Sequence, residues 1–421
     1  MTVELRPLGI ACNIQCLYCY QHPQRDAGHD RAAYNLEVMK AAIEQDGGPF
    51  SLFGGEALLL PLDDLEALWA WGLEKYGSNG VQTNGTLITD EHLRLFKAYN
   101  VHVGISIDGP GALNDARWAG TLERTREMTA RSEAAIERLC QAQIPFSLIL
   151  TLHRGNATAD KLPILQDWLR YLESLGLRHA RLHVLEIESG AVAEKYQLSL
   201  QESIEVFLSF YRFEQQLTQL HFDTYTDMKR MLRGQDNNTT CLWNACDPYT
   251  TAAVRGVEGN GQRTNCGRTY KDGVEFVKAD TQTFERYLAL YHTPQEYGGC
   301  AGCRFFLVCK GNCPGTALDG DWRNRTEYCE LYKALYRQIE EEMLDAGEVP
   351  ISAHPQRPRI EQALIESWAQ QRPMYLCSVL ERLNNPNGSA PGEQSTPSSH
   401  GDHPHGDSPH GDSHGDHHDA S

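Results

Sequence analysis

The cysteine positions constrain this chain more than anything else in it. Thirteen cysteines occur in 421 residues, and eleven fall into three sets: Cys12, Cys16, Cys19; then Cys241, Cys246, Cys266; then Cys300, Cys303, Cys309, Cys313, Cys329. Thiolates a few residues apart are ligands for zinc or iron-sulfur clusters, because short loops bring several soft donors to one centre without help from the rest of the fold. The first set is odd in number. Three thiolates leave one position open on a four-coordinate centre, whereas a structural zinc site is closed by four protein ligands. A [4Fe-4S] cluster on three thiolates exposes one iron to a further ligand.

The run from Cys12 to Tyr20, with the aromatic Tyr18 just before the third cysteine, resembles the signature of the radical S-adenosylmethionine (SAM) enzymes. Further residues carry the resemblance downstream. Ser51 to Glu56 reads as a buried strand opening into a glycine turn. In the family such a turn holds the SAM amino group, which points to Gly54 and Gly55 with Glu56 at hand. Gln82 to Thr86 ends the next strand, and Val103 to Pro110 the one after. Ser106 and Asp108 alternate with apolar neighbours, so a strand would turn both to one face. By the resemblance Asn84, Ser106 and Asp108 join the SAM contacts, the last two at the ribose. Taken singly, the glycine pair reads equally well as a plain turn and Asp108 as a cap before Pro110.

Strand patterns near 2–8, 49–54, 79–84, 101–108, 145–153 and 180–187 alternate with helical patterns near 35–46, 61–76, 89–99, 121–142 and 160–175. Six such repeats predict an α/β fold with a parallel sheet and right-handed crossovers. They are too few for a closed eight-stranded barrel. A partial (β/α)6 barrel is expected, with its chemistry at the C-terminal strand ends and a lateral opening wide enough for a polypeptide.

The second and third cysteine sets resemble the SPASM domain, the auxiliary-cluster extension of peptide- and protein-modifying radical SAM enzymes. The core Cys300, Cys303, Cys309, Cys313 has a chance frequency of roughly one in a few thousand at this cysteine content; a zinc ribbon is the competing reading. The resemblance implies that Cys241, Cys246, Cys266 and Cys313 hold one auxiliary cluster and Cys300, Cys303, Cys309 and Cys329 a second, giving three [4Fe-4S] clusters in all. A cluster with four protein thiolates has no free iron for substrate, so its implied task is moving electrons or shaping the site. Cys140 and Cys377 fall outside the sets and read as buried, inert thiols.

The expected division is a radical SAM partial barrel over 1–220, a SPASM domain over 221–345, a helical segment over 346–385 and a tail over 386–421. The tail repeats His-Gly-Asp from His400, His405, His410 and His414 and has almost no apolar residue to bury. It reads as a solvated tail with incidental metal affinity, a metal-storage or delivery segment, or a built-in substrate-like repeat. The formal charge of −18 argues against a nucleic-acid partner. Neither a membrane span nor a signal peptide is indicated, and thiolate ligands in an unexported chain point to the cytoplasm.

The resemblance implies a chemistry as well. SAM would chelate the open iron, an electron from flavodoxin or ferredoxin would cleave it, and the 5'-deoxyadenosyl radical would take hydrogen from a bound peptide. The leading expectation is a maturase that cross-links side chains in a ribosomally made peptide; a protein-modifying oxidase or epimerase and a non-catalytic iron-sulfur or metal-carrier protein are the alternatives. Only eleven residues precede Cys12, too few for the leader-gripping module of many peptide maturases, so a separate leader-binding protein is a possible partner. Sulfatase-maturing relatives place an Asp directly after the cysteine matching Cys266; this chain has Gly267, which puts formylglycine formation in doubt. Glu186, Glu188, Asp223 and Tyr225 are equal candidates for a general base.

Overall fold

The computed structural model describes residues 2–22, 33–187, 189–237, 239–243, 246–248, 254–272 and 283–384. The His-Gly-Asp tail and Glu188 lie outside the described residues.

Six strands follow one another in parallel: β1 (Val3–Arg6), β2 (Phe50–Leu52), β3 (Asn79–Thr83), β4 (Val101–Ser106), β5 (Phe146–Leu152) and β6 (His179–Val184). Between them run α1 (Leu36–Asp46), α2 (Leu62–Tyr76), α3 (Asp90–Ala98), α4 (Leu122–Gln141) and α5 (Leu162–Ser174). Each expected strand and helix is present within a few residues of its expected bounds. Local chemistry sets the helix ends. The Asn35 side chain accepts the Glu37 and Val38 N–H groups at the start of α1, and Gly47 stops it in the left-handed conformation. Thr121 caps α4 in the same way.

Side-chain alternation makes the strands two-faced. In β5, Phe146, Leu148, Leu150 and Leu152 are buried against the helices, while Ser147, Ile149 and Thr151 turn to the inner face. The same alternation turns Glu4, Gln82, Arg181 and His183 inward. Truncating one buried leucine of this layer, such as Leu148, costs about 2–5 kcal/mol.

The sheet does not close, as expected, but it is longer than expected. Its order is β7-β6-β5-β4-β3-β2-β1-β8-β9. At one edge β7 (His221–Phe222) pairs with β6 in parallel. At the other, β8 (Arg255–Glu258) pairs in parallel with β1 along four residues, Val3 opposite Arg255 to Arg6 opposite Glu258, and β9 (Arg263–Thr264) returns antiparallel. The cysteine-rich half thus contributes strands to the sheet of the first half. Short strands with polar residues and no period gave no signal for this in the sequence.

Helices α6 (Gly190–Tyr196), α7 (Leu200–Glu214) and α8 (Asp223–Leu232) follow β6 and β7. After β9 come α9 (Glu285–His292), the single turn α10 (Phe306–Cys309), the long α11 (Cys329–Asp345), α12 (Arg357–Ala369) and α13 (Leu376–Asn384). Buried aromatics lock α11 in place: Tyr332 and Tyr336 both meet the Trp243 ring edge-on with centroids 5.7 Å apart, and Tyr211 of α7 donates to Glu342 at 2.5 Å. Aromatic pairs of this kind contribute about 0.5–1.5 kcal/mol beyond their buried area.

Candidate active site and cysteine pockets

A cavity of about 260 Å³ opens at the C-terminal ends of the strands. Cys12, Cys16 and Cys19 line it on one side, and Cys241, Cys246, Cys266 and Cys313 on another. Cys300, Cys303, Cys309 and Cys329 line a separate pocket of about 20 Å³, walled by Phe305, Phe306 and Tyr336. The eleven cysteines are therefore distributed as three, four and four over two spaces.

The loop after β1 carries the first three. It is held by the glycine turn after β2: the Gly55 N–H donates to the Gly9 carbonyl at 2.9 Å and the Glu56 N–H to that of Ala11 at 2.8 Å. Only glycine fits here. Gly54 has φ +122°, and a Cβ on Gly55 would lie 2.1 Å from the Ala11 carbonyl oxygen. Gly54, Gly55, Asn84 and Ser106 all line the cavity. The Asn84 amide donates to Asn13 Oδ1 at 2.8 Å and lies 4.0 Å from Cys12 Sγ; Ser106 Oγ accepts from Gln82 at 2.7 Å.

Glu56 and Asp108, expected among the SAM contacts, do not line the cavity, and both carboxylates are buried among protein groups. Glu56 is 1% exposed. Its Oε1 accepts from the Leu58 N–H and the Thr83 hydroxyl, at 3.0 and 2.7 Å, and its Oε2 accepts from the Asn84 N–H at 2.8 Å. It joins the glycine turn to the end of β3. Asp108 is fully buried, two residues past the end of β4, and is the centre of a polar hub. It accepts from the Tyr18 hydroxyl, from Arg117 at 3.0 Å and from the Thr151 N–H at 3.2 Å. His153 Nδ1 accepts from the Gly155 N–H, leaving Nε2 to donate to Asp108 at 3.2 Å. Burial opposes ionisation, but Arg117, His153 and Tyr18 override it and hold the Asp108 carboxyl at about 2. Tyr18 lies between Cys16 and Cys19, so the hub positions the cysteine loop. Arg117 and His153 were not singled out from the sequence, since only the fold brings them to Asp108.

The Cys16 thiol is pushed up to about 12 by burial, with Arg117 opposing and the neighbouring Cys19 and Cys12 adding to the rise. Cys241 is raised mainly by burial and also by Cys313, and Cys266 by burial, Glu4, Cys313 and Cys241; Cys309 is raised by burial and by Cys329, Cys300 and Cys303. Among the described residues, no group of three or more His, Cys, Asp or Glu side chains is gathered to hold a single metal ion. A tetrahedral zinc needs sulfurs roughly 3.8 Å apart, given bonds of about 2.3 Å. A four-iron cube spreads its ligands over its corners, which suits thiols that face a common space.

The cavity wall also carries charged and polar side chains. Arg268 contacts Glu186 at 2.9 Å and donates to His183 Nδ1 at 2.5 Å. Burial, then Arg268, Arg181 and Arg117, push His183 well below its usual range, so it is a neutral imidazole with its proton on Nε2. Burial raises Glu4 against the pull of Arg6, which contacts it at 2.9 Å, and of Arg268. Gly267 faces Tyr20: a Cβ there would lie 3.4 Å from the phenol ring. Of the candidate bases, Glu186 lines the cavity. Asp223 accepts from Arg181 at 2.8 Å. Tyr225 is buried in the helix layer and donates to the Phe207 carbonyl at 2.6 Å, away from the cavity. Glu4, missed from the sequence, had one legible signal, a carboxylate on the inner face of the first strand. Cys140 on α4 and Cys377 on α13 line neither pocket; burial raises both thiols.

Residues 7–164 match the radical SAM superfamily model. The chain is 33% identical over 210 residues to the serine-type anaerobic sulfatase-maturating enzyme of Klebsiella aerogenes, covering 47% of this chain and 50% of that one. It thus spans about half the length of the Klebsiella relatives it matches. Similarity to the cysteine-type enzyme of Clostridium perfringens (strain 13 / Type A) is 22% over 387 residues, 80% of this chain and 95% of the relative. The fold is similar to the solved structure of native anSMEcpe with bound AdoMet and Cp18Cys peptide, with a TM-score of 0.63 at 18% identity over 82% of this chain and 98% of the other. No helix among the described residues is long and apolar enough to cross a membrane. Residues 7–164, which carry the three-cysteine loop and four of the strand ends around the cavity, are thus the part of the chain that is similar to the radical SAM superfamily.

Proposed function

We propose that the protein is a radical SAM maturase acting on a ribosomally synthesised peptide, with a side-chain cross-link as its product. One observation carries this reading: the three-cysteine set and a four-cysteine set line the same cavity, so a radical made at one wall has an electron acceptor at the other. The relatives add support, since one solved neighbour binds a peptide together with AdoMet.

In this reading Cys12, Cys16 and Cys19 hold the SAM-binding cluster. Cys241, Cys246, Cys266 and Cys313 hold one auxiliary cluster, and Cys300, Cys303, Cys309 and Cys329 the other, within a SPASM region over 221–345. Bound there, SAM and its cluster would supply radical chemistry able to take hydrogen from unactivated carbon. The residues of the chain supply the rest. Gly54 and Gly55 expose backbone to SAM, and Asn84 and Ser106 offer hydrogen bonds from the strand ends. Glu56 and Asp108 act from behind them: Glu56 fixes the turn and the Asn84 backbone, while Asp108 fixes Tyr18 and Arg117. Arg268 and His183 would give the substrate fixed polar groups in the cavity wall. Loss of an electron and a proton completes a cross-link. Glu4 and Glu186 are the carboxylates at the cavity able to accept the proton, each held by an arginine. Gly267, where sulfatase-maturing relatives place an Asp, puts formylglycine formation in doubt. Flavodoxin or ferredoxin in the cytoplasm would be the electron donor, and a separate leader-binding protein is a possible partner.

The test is anaerobic reconstitution followed by reduction with dithionite. About twelve irons per chain and conversion of SAM to 5'-deoxyadenosine are expected, and a candidate peptide should lose two hydrogens, a 2 Da decrease in mass per bond. A fully loaded protein that leaves SAM intact would overturn the enzyme reading. An unchanged peptide mass with 5'-deoxyadenosine formed would favour epimerisation.

A further inference from the structure

Arg286 of α9 is 2% exposed and among the largest fully buried side chains of the molecule. Its guanidinium is spent on backbone. Nε donates to the Trp322 carbonyl at 2.8 Å, Nη1 to those of Cys246 and Asn312 at 3.1 and 3.2 Å, and Nη2 to that of Asn324 at 2.9 Å. These carbonyls come from both cysteine neighbourhoods. Cys246, and Cys313 next to Asn312, line the central cavity, whereas 322–324 belongs to the loop that leads through Arg325 to Cys329 in the second pocket. The guanidinium charge is also felt at the Cys300 thiol. One carboxylate, Asp247, is near, accepting the Arg286 backbone N–H at 3.4 Å. A guanidinium taken out of water costs several kcal/mol unless anions or well-aligned dipoles replace its hydration. A four-iron cluster with four thiolates is an anion, and its potential follows net charge, hydrogen bonding and burial.

We propose that Arg286 is a positioning residue shared by both auxiliary sites, tying their ligand loops together with one fork and supplying the buried positive charge that makes both clusters easier to reduce. This rests on the reading of the eight cysteines as two cluster sites. Arginine suits the task because its rigid, planar fork reaches several acceptors at once and stays charged at every accessible pH. The sequence around it, Phe284 to Leu288, gives no hint, since the arginine lies in an ordinary amphipathic pattern.

The test uses the full chain, reconstituted anaerobically, as wild type, Arg286→Lys and Arg286→Gln, read by iron per chain and by redox titration monitored with electron paramagnetic resonance. Lysine keeps the charge and loses the fork; glutamine loses both the charge and the fork. The expected result is a lysine variant within threefold of wild type in the reduction equilibria of the auxiliary clusters. The glutamine variant should be at least tenfold harder to reduce, which is 59 mV for a one-electron couple, with the SAM-binding cluster unshifted in both. Equal behaviour of the two variants, shifted or unshifted, overturns the proposal while leaving the cluster assignment standing. If the glutamine variant does not accumulate folded, a tenfold shift in the lysine variant overturns it and an unshifted one supports it. Wild-type protein holding only about four irons would instead overturn the two-site reading and this proposal with it.

Discussion

The two cysteine spaces differ as a workplace differs from a conduit. The central one is large and open, shared by three cysteines from the first half of the chain and four from the second, with arginines, a neutral histidine and two carboxylates around it. The second is small and walled by aromatic side chains, with little besides four cysteines, Arg325 and Lys333. A substrate has room in the first and none in the second. Thiolate chemistry is the same in both, so their walls assign the roles.

The sharpest break of that comparison removes one cysteine from each. With Cys12→Ala, 5'-deoxyadenosine formation falls to background while iron drops from about twelve to about eight per chain. With Cys309→Ala iron drops equally, yet SAM cleavage persists and peptide product fails. Abolished SAM cleavage in Cys309→Ala would erase the distinction between the spaces. Next in size is the cavity's proton acceptor: Glu4→Gln or Glu186→Gln should lower product formation by about 10²–10⁴-fold with SAM cleavage retained, and the variant showing the loss names the base. Asp108→Asn leaves Arg117 buried without its anion and should cost about 3–5 kcal/mol, read as a lowered denaturant midpoint; the matching loss for Lys333→Gln, on the partly exposed rim of the second pocket, is at most about 1 kcal/mol. Gly55→Ala forces a Cβ onto the Ala11 carbonyl and should cost about 1–3 kcal/mol, together with iron from the first site only. An effect of the same order as Gly55→Ala is expected with pH. The Asp108 carboxyl is held at about 2 against an ordinary 3.8, so it binds its proton less readily folded than unfolded. Its contribution, about 2 kcal/mol by the shift, is present above pH 3.8 and lost as the pH falls towards 2. Acid unfolding of Asp108→Asn should lack that component.

What the sequence made legible follows from locality. Cysteine spacing, glycine turns and strand alternation are short-range signals, and they gave six strands, five helices, the open sheet and the residues around the cavity mouth. Asp108 shows where this ends. Its place after a strand was readable, but whether its carboxylate met a ligand or the protein depended on Arg117 and His153, placed by other loops. Glu56 went the same way, spent on the Thr83 hydroxyl and the Leu58 and Asn84 amides. The edge strands β7, β8 and β9 are two to four residues long and polar, too short for a period, and their pairing is decided by the sheet edges that await them. Arg286 is the extreme case, since none of its four carbonyl partners lies within 25 residues of it.

The pairing of β8 with β1 has a mechanical consequence. The loop of Cys12, Cys16 and Cys19 leaves β1, and Cys266 follows β9, one strand beyond β8. Neighbouring strands are about 4.8 Å apart, and the ladder between β1 and β8 can slip only by whole residues, each slip turning inner side chains outward. On the proposed function, this pairing would anchor the roots of both cysteine loops to one sheet edge, so that the separation of radical generator and electron acceptor would vary less than loops alone would allow.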